Sequence, residues 1–109
     1  MTIIYEYYTG LPAEILPELQ LFMTQNIKNA DRVKVGITSN PKIQWQQHSS
    51  DKNKWSKMIV VFQSSSIVQV RTLEKALVAH GKKFVEKIKS GAGENRTNGT
   101  QHVYFLVRN

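Results

Sequence analysis

The sequence predicts an α+β domain, a small central β-sheet of three to four short strands flanked by helices. Two observations predict it. Four runs rich in β-branched or aromatic residues alternate with three stretches whose apolar residues fall at helical spacing, and the boundaries carry Pro, Gly, Asn or Ser. No internal repeat or linker divides the 109 residues, a length that suits one hydrophobic core, so residues 1–109 are expected to form a single domain.

Ile3-Ile4-Tyr5-Glu6-Tyr7-Tyr8, stopped by Thr9-Gly10, reads as a first strand with Ile3, Tyr5 and Tyr7 on one face. Pro12 suits the first turn of a helix whose apolar positions are Ile15, Leu19, Phe22 and Ile27, and Pro17 is expected to break or kink it early. Arg32 to Thr38 alternates polar and apolar residues and predicts a second strand. Ser39-Asn40-Pro41 then starts a short helix running to about His48.

After a polar stretch, Met58-Ile59-Val60-Val61-Phe62 is apolar throughout, which predicts a strand buried on both faces at the centre of the sheet. Val70, Leu73, Leu77, Phe84 and Ile88 form one stripe of a long helix that Gly91 and Gly93 would end. A polar loop over residues 94–100 precedes a last strand, His102 to Val107.

Composition narrows the function classes. With 40% hydrophobic and 21% charged residues the chain reads as an ordinary globular protein, and no apolar run approaches the ~18 residues of a membrane span. The absence of cysteine excludes disulfides and thiolate metal sites. The N-terminus has no basic region followed by a small-residue cleavage site, so an intracellular protein, cytoplasmic or nuclear, is expected. The net charge is +7, and it is uneven. Residues 1–30 hold Glu6, Glu14 and Glu18 against Lys28, a balance of −2, which leaves +9 on the rest. Such a chain either attracts a polyanion or merely stays soluble.

The segment Val33-Lys34-Val35-Gly36-Ile37-Thr38-Ser39-Asn40-Pro41-Lys42-Ile43-Gln44-Trp45-Gln46-Gln47-His48 places an apolar-Gly step on a strand and a histidine four residues beyond Gln44 on a helix. Together with Ile3-Ile4-Tyr5 upstream, Leu73-Glu74 in the long helix and an asparagine loop before Val103-Tyr104-Phe105, it resembles the GIY-YIG endonuclease superfamily. Lys34 stands where the better-known families have a second tyrosine, and the phage- and virus-associated branch resembles this chain in its Lys-apolar-Gly. The resemblance covers essentially the whole chain, with an unusually long helical insertion after the first strand.

The resemblance implies phosphodiester hydrolysis on DNA or RNA, assisted by one Mg²⁺ or Mn²⁺. It assigns Tyr5 to activating water or attacking phosphorus, with Tyr7 as substitute if the register differs. Lys34 would lower the tyrosine's pKa or hold the phosphate, His48 would handle a proton, and Glu74 would hold the metal. Gln44 departs from the pattern, because the family has an arginine there. Glutamine keeps donors but loses charge, and removal of a transition-state donor typically costs roughly 100- to 1,000-fold in rate. A naturally impaired enzyme, a deliberate inactivation, or replacement of the cation by Lys42 or Arg32 would each account for it.

Lys42, Trp45, Lys82, Lys83 and Asn95, the last preferred over Asn98, are the nucleic-acid-binding candidates. The lysines at the end of the long helix complement its dipole equally well. Trp55, beside Lys54 and Lys57, would stack on a base or anchor its loop. His80 and His102 have no such context. The expectation is a divalent-metal-dependent DNA endonuclease; the alternative is a non-catalytic nucleic-acid-binding module that keeps the fold, and a remote third is a protein-interaction domain. So small a domain has little surface for specificity, which leaves room for a homodimer or partner subunit.

Overall fold

The computed structural model describes residues 2–27, 30–49, 55–82, 88–90 and 99–108. Along them run β1 (Thr2–Tyr5), α1 (Pro12–Asn26), β2 (Arg32–Thr38), α2 (Pro41–Ser49), β3 (Lys57–Ser64), α3 (Ile67–Gly81), β4 (Ile88–Ser90) and β5 (Gln101–Arg108). The class is α+β, with five strands where three to four were expected, in the order β1-β3-β5-β2-β4. β5 lies antiparallel between β2 and β3, while β1 runs parallel to β3 and β4 parallel to β2. The centre of the sheet is therefore β5, not β3, although Met58 to Phe62 of β3 are all buried.

Side-chain alternation gives the sheet two unequal faces. On one, Val33, Val35 and Ile37 of β2 and Val103, Phe105 and Val107 of β5 meet α1 through Ile15, Leu19 and Met23, and α3 through Val70, Leu73 and Leu77. On the other, Met58, Val60, Tyr104 and Leu106 meet Trp45 of α2 and Trp55 in a smaller cluster. A bulge between Val60 and Phe62 lets both Val61 and Phe62 join the larger core.

The helices begin where local chemistry satisfies their first N–H groups. Glu14 Oε1 accepts from the Leu11 N–H at 3.3 Å ahead of α1, and Asn40 Oδ1 accepts from Ile43 at 3.2 Å to start α2. Ser66 Oγ accepts from Gln69 at 3.3 Å to start α3. No described helix is long and apolar enough to cross a membrane.

Two sequence expectations fail here for physical reasons. α1 is not broken at Pro17 and continues to Asn26. Buried Ile15 lies before the proline and buried Leu19, Met23 and Ile27 after it, and burial of about 1.5–3 kcal/mol per side chain outweighs the ~3 kcal/mol that an interior proline costs. α3 ends at Gly81, ten residues before the expected stop. Glycine is a poor helix former, and Ile88, read as the end of the helical stripe, pairs with Val33 in β4 instead. Phe84, the position before it on that stripe, lies outside the described residues.

Pro17 is exposed, so its cost is local. Pro17→Ala should restore the helical bond to the Ala13 carbonyl and raise stability by about 1–3 kcal/mol, read as a higher urea midpoint at unchanged slope. A lower midpoint would show that the proline's restriction of the unfolded chain matters more.

Candidate nucleic-acid interface

Strand register lays out the α2 face as a grid. Lys34, Leu106, Met58 and Ile3 share one level across β2, β5, β3 and β1. Gly36, Tyr104, Val60 and Tyr5 share the next. Thr38, His102 and Gln63 share the third. Tyr7, beyond the end of β1, reaches this last level, its ring centroid 6.3 Å from that of His102 and 5.9 Å from that of Tyr5.

Gly36 is required by its partner across the strand. A Cβ at position 36 would lie 2.9 Å from Cε1 of Tyr104 and closer still to the hydroxyl end of the ring, so only glycine lets that ring lie over β2. Tyr104 is 2% exposed and, with Trp45 and Trp55, fills the space beneath α2. The glycine of the Lys-apolar-Gly step thus accommodates a tyrosine from the last strand.

At the third level His102 Nδ1 is 3.2 Å from the Thr38 carbonyl oxygen. That oxygen only accepts, so Nδ1 carries the proton and the neutral ring keeps Nε2 as an acceptor. Burial holds the His102 pKa below its ordinary 6.5, against an opposing pull from the Thr38 carbonyl. Tyr7 is raised above its ordinary 10.0, mainly by burial and then by neighbouring Tyr5. Near neutral pH Tyr7 therefore keeps its proton, which disfavours it as a base.

Sequence-predicted residues divide between the two faces. Tyr5, Lys34 and Gln44 belong to the α2 side, but Tyr5 and Lys34 stand three strands and two residues apart, about 16 Å by ordinary sheet spacing. Lys34 is therefore not the close cation that Tyr5 was expected to have. Gln44 is half-buried and Lys42 exposed in the first turns of α2. His48 lies one turn beyond Gln44 on the same helix.

Trp45, expected to contact nucleic acid, is buried at 9% exposure, because its indole is needed to cover Tyr104 and Val60. Trp55 likewise anchors its segment, at 3% exposure. Lys82 is exposed just past α3, while Lys83 and Asn95 lie outside the described residues. Sequence reasoning missed His102 and Tyr104. The signal for Tyr104 was Gly36 itself; His102 had none, since its neighbours Thr38 and Tyr7 are remote in sequence.

Glu74 is buried at 7% exposure on α3, the helix that packs against the opposite face from α2. It borders an open cavity of about 300 Å³ lined also by Lys75, Val78, Ala79 and Lys82. Lys75 and Lys82 bring two positive charges to the same cavity, which disfavours a dication there. No group of three His, Cys, Asp or Glu gathers among the described residues.

Two measurements check this geometry. Gly36→Ala should destabilise by about 1–3 kcal/mol through overpacking, and the loss should largely vanish in a Tyr104→Ala background if the ring is the obstacle; full additivity of the two changes would exclude it. For His102, the unfolded chain binds a proton below pH 6.5 that the native state resists. Its contribution to stability is thus present above pH 6.5 and declines as the pH falls toward the lower folded value. His102→Gln should flatten the fall in urea midpoint between about pH 7.5 and 5, and an unaltered slope would contradict the assigned burial.

No family model, no curated protein and no solved structure matches the chain, so the geometry of the α2 face is what bears on its function.

Proposed function

We propose that the chain is a nucleic-acid-binding domain of the GIY-YIG type whose contact surface is the α2 face, and that it cleaves little or not at all as its sequence stands. The observation that carries this reading is the separation of functional groups. The α2 face gathers exposed tyrosines, a half-buried lysine and an exposed helix lysine, whereas Glu74, the buried carboxylate among the described residues, arrives from α3 behind the sheet. Described acids lie elsewhere as well: Glu14 and Glu18 are on α1, and Asp31 is paired with Arg108. Binding needs only the positive charge and the surface. In-line attack on phosphorus needs a nucleophile, a charge clamp and a cation in contact with the same phosphate.

The second reading, a metal-dependent endonuclease, is favoured by one observation, the burial of Glu74 beside an open cavity. Carboxylates are rarely buried without a role.

Cleavage of supercoiled plasmid with Mg²⁺ or Mn²⁺, alongside binding at graded salt, distinguishes the two. Binding should weaken with salt at a log–log slope of about −3, as three or four phosphate contacts give, and Lys34→Ala and Lys42→Ala should each reduce that slope by about 1. This chain, Gln44→Arg and Gln44→Arg/Glu74→Ala should all leave the plasmid intact. If Gln44→Arg nicks it and loss of Glu74 abolishes nicking, the endonuclease reading replaces the one proposed. Absence of binding even at low salt would remove both.

A further inference from the structure

We propose that Tyr5, Tyr7 and His102 form a stacking platform for an unpaired base, so that the preferred ligand is a single-stranded segment of DNA or RNA. The inference rests on the nucleic-acid reading above and specifies its ligand. Tyr5 is 50% and Tyr7 40% exposed, although phenol rings in a small domain ordinarily serve to fill the core. One exposed aromatic is unremarkable on any surface. Here three rings are contiguous: Tyr5 and Tyr7 lie 5.9 Å apart with planes tilted by 34°, and Tyr7 and His102 lie 6.3 Å apart with planes tilted by 47°.

The group is held in place from behind. His102 is fixed by its bond to the Thr38 carbonyl. The Tyr5–Tyr8 segment is tied to β3 by the Glu6 N–H to Val60 and the Tyr8 N–H to Val61, each at 2.8 Å. Tyr8 turns the other way, its ring edge-on to Phe22 of α1. Alternation sends Glu6 to that side as well, which keeps its charge off the platform. The rings are too close together to admit a base between them, so a base would lie across their outer faces.

Charge supplies the rest of the match. α2 starts at Pro41, three residues after Thr38, with Lys42 exposed in its first turn. A strand whose base covers the platform would carry its phosphates past that lysine, on a chain of net charge +7. Sequence-tolerant stacking beside basic residues is how single strands are held by proteins that read no base edges. In a duplex the π-faces are already occupied by neighbouring bases, so the platform would add less to duplex binding than to single-strand binding.

Fluorescence anisotropy with a labelled single-stranded oligothymidylate and a labelled duplex of equal length tests this on the full chain. The chain should bind the single strand more tightly. Tyr7→Ala and Tyr5→Ala should each weaken single-strand binding by roughly 5- to 150-fold, the range for loss of one stacking partner, and weaken duplex binding by less. Tyr7→Trp should preserve the preference. Tyr7→Leu, which keeps apolar bulk and so guards against an unfolded alanine variant, should lose it. If the chain binds both ligands but leucine at either position leaves the single-strand preference intact, the stacking inference fails and the nucleic-acid reading survives. If the unaltered chain binds neither ligand at low salt, both fail together.

Discussion

The pairing of β5 with both β2 and β3 is the contact on which the rest of the domain depends. β2 and β3 are not neighbours in the sheet, and they are joined to each other only through β5, the last described segment of the chain. Seven paired positions join β5 to β2 and seven join it to β3, so both layers of side chains come into register when β5 inserts. Asp31 and Arg108 fasten one end of this arrangement, with Arg108 Nε donating to the Asp31 carboxylate at 2.9 Å. At the other end His102 reaches the Thr38 carbonyl. The cost is kinetic, since pairings this distant in sequence must close long loops before they contribute, and sheets built in this way fold slowly.

The same insertion determines what each face of the sheet can do. β5 sends Val103, Phe105 and Val107 into the larger core and Tyr104 and Leu106 into the smaller one. With two helices packed against it, the first face contributes mainly stability. Among the described residues the second has only α2 and the Trp55 segment for cover, and Tyr5 and Tyr7 at its β1 end are exposed.

How much of this was legible follows from which signals are local. β2 was readable from Arg32 to Thr38 because its alternation is strict and it faces two environments. The body of α3 was readable from the apolar stripe that begins at Val70. Its end was not, because Ile88 continues the helical period while belonging to a strand. Strand order could not be read at all: Met58–Phe62 and Val103–Val107 are equally apolar, and nothing in either run says which one is central. The site suffered for the same reason. Tyr5 and Lys34 were assigned to one reaction centre by their order along the chain, and spatial proximity depends instead on sheet order, which puts two strands between them.

Gln44 acquires a different meaning in this setting. In an assembled phosphodiesterase site, exchanging arginine for glutamine removes the charge that stabilises the transition state, and the loss is severe because the remaining groups act in concert. On a binding surface the same exchange removes one contribution among several to an electrostatic sum, and Lys34, Lys42 and the aromatic rings remain. Under the proposed binding reading, Gly36 is needed to admit Tyr104 and α2 to set Trp45 over the smaller core, and neither purpose calls for a guanidinium at position 44.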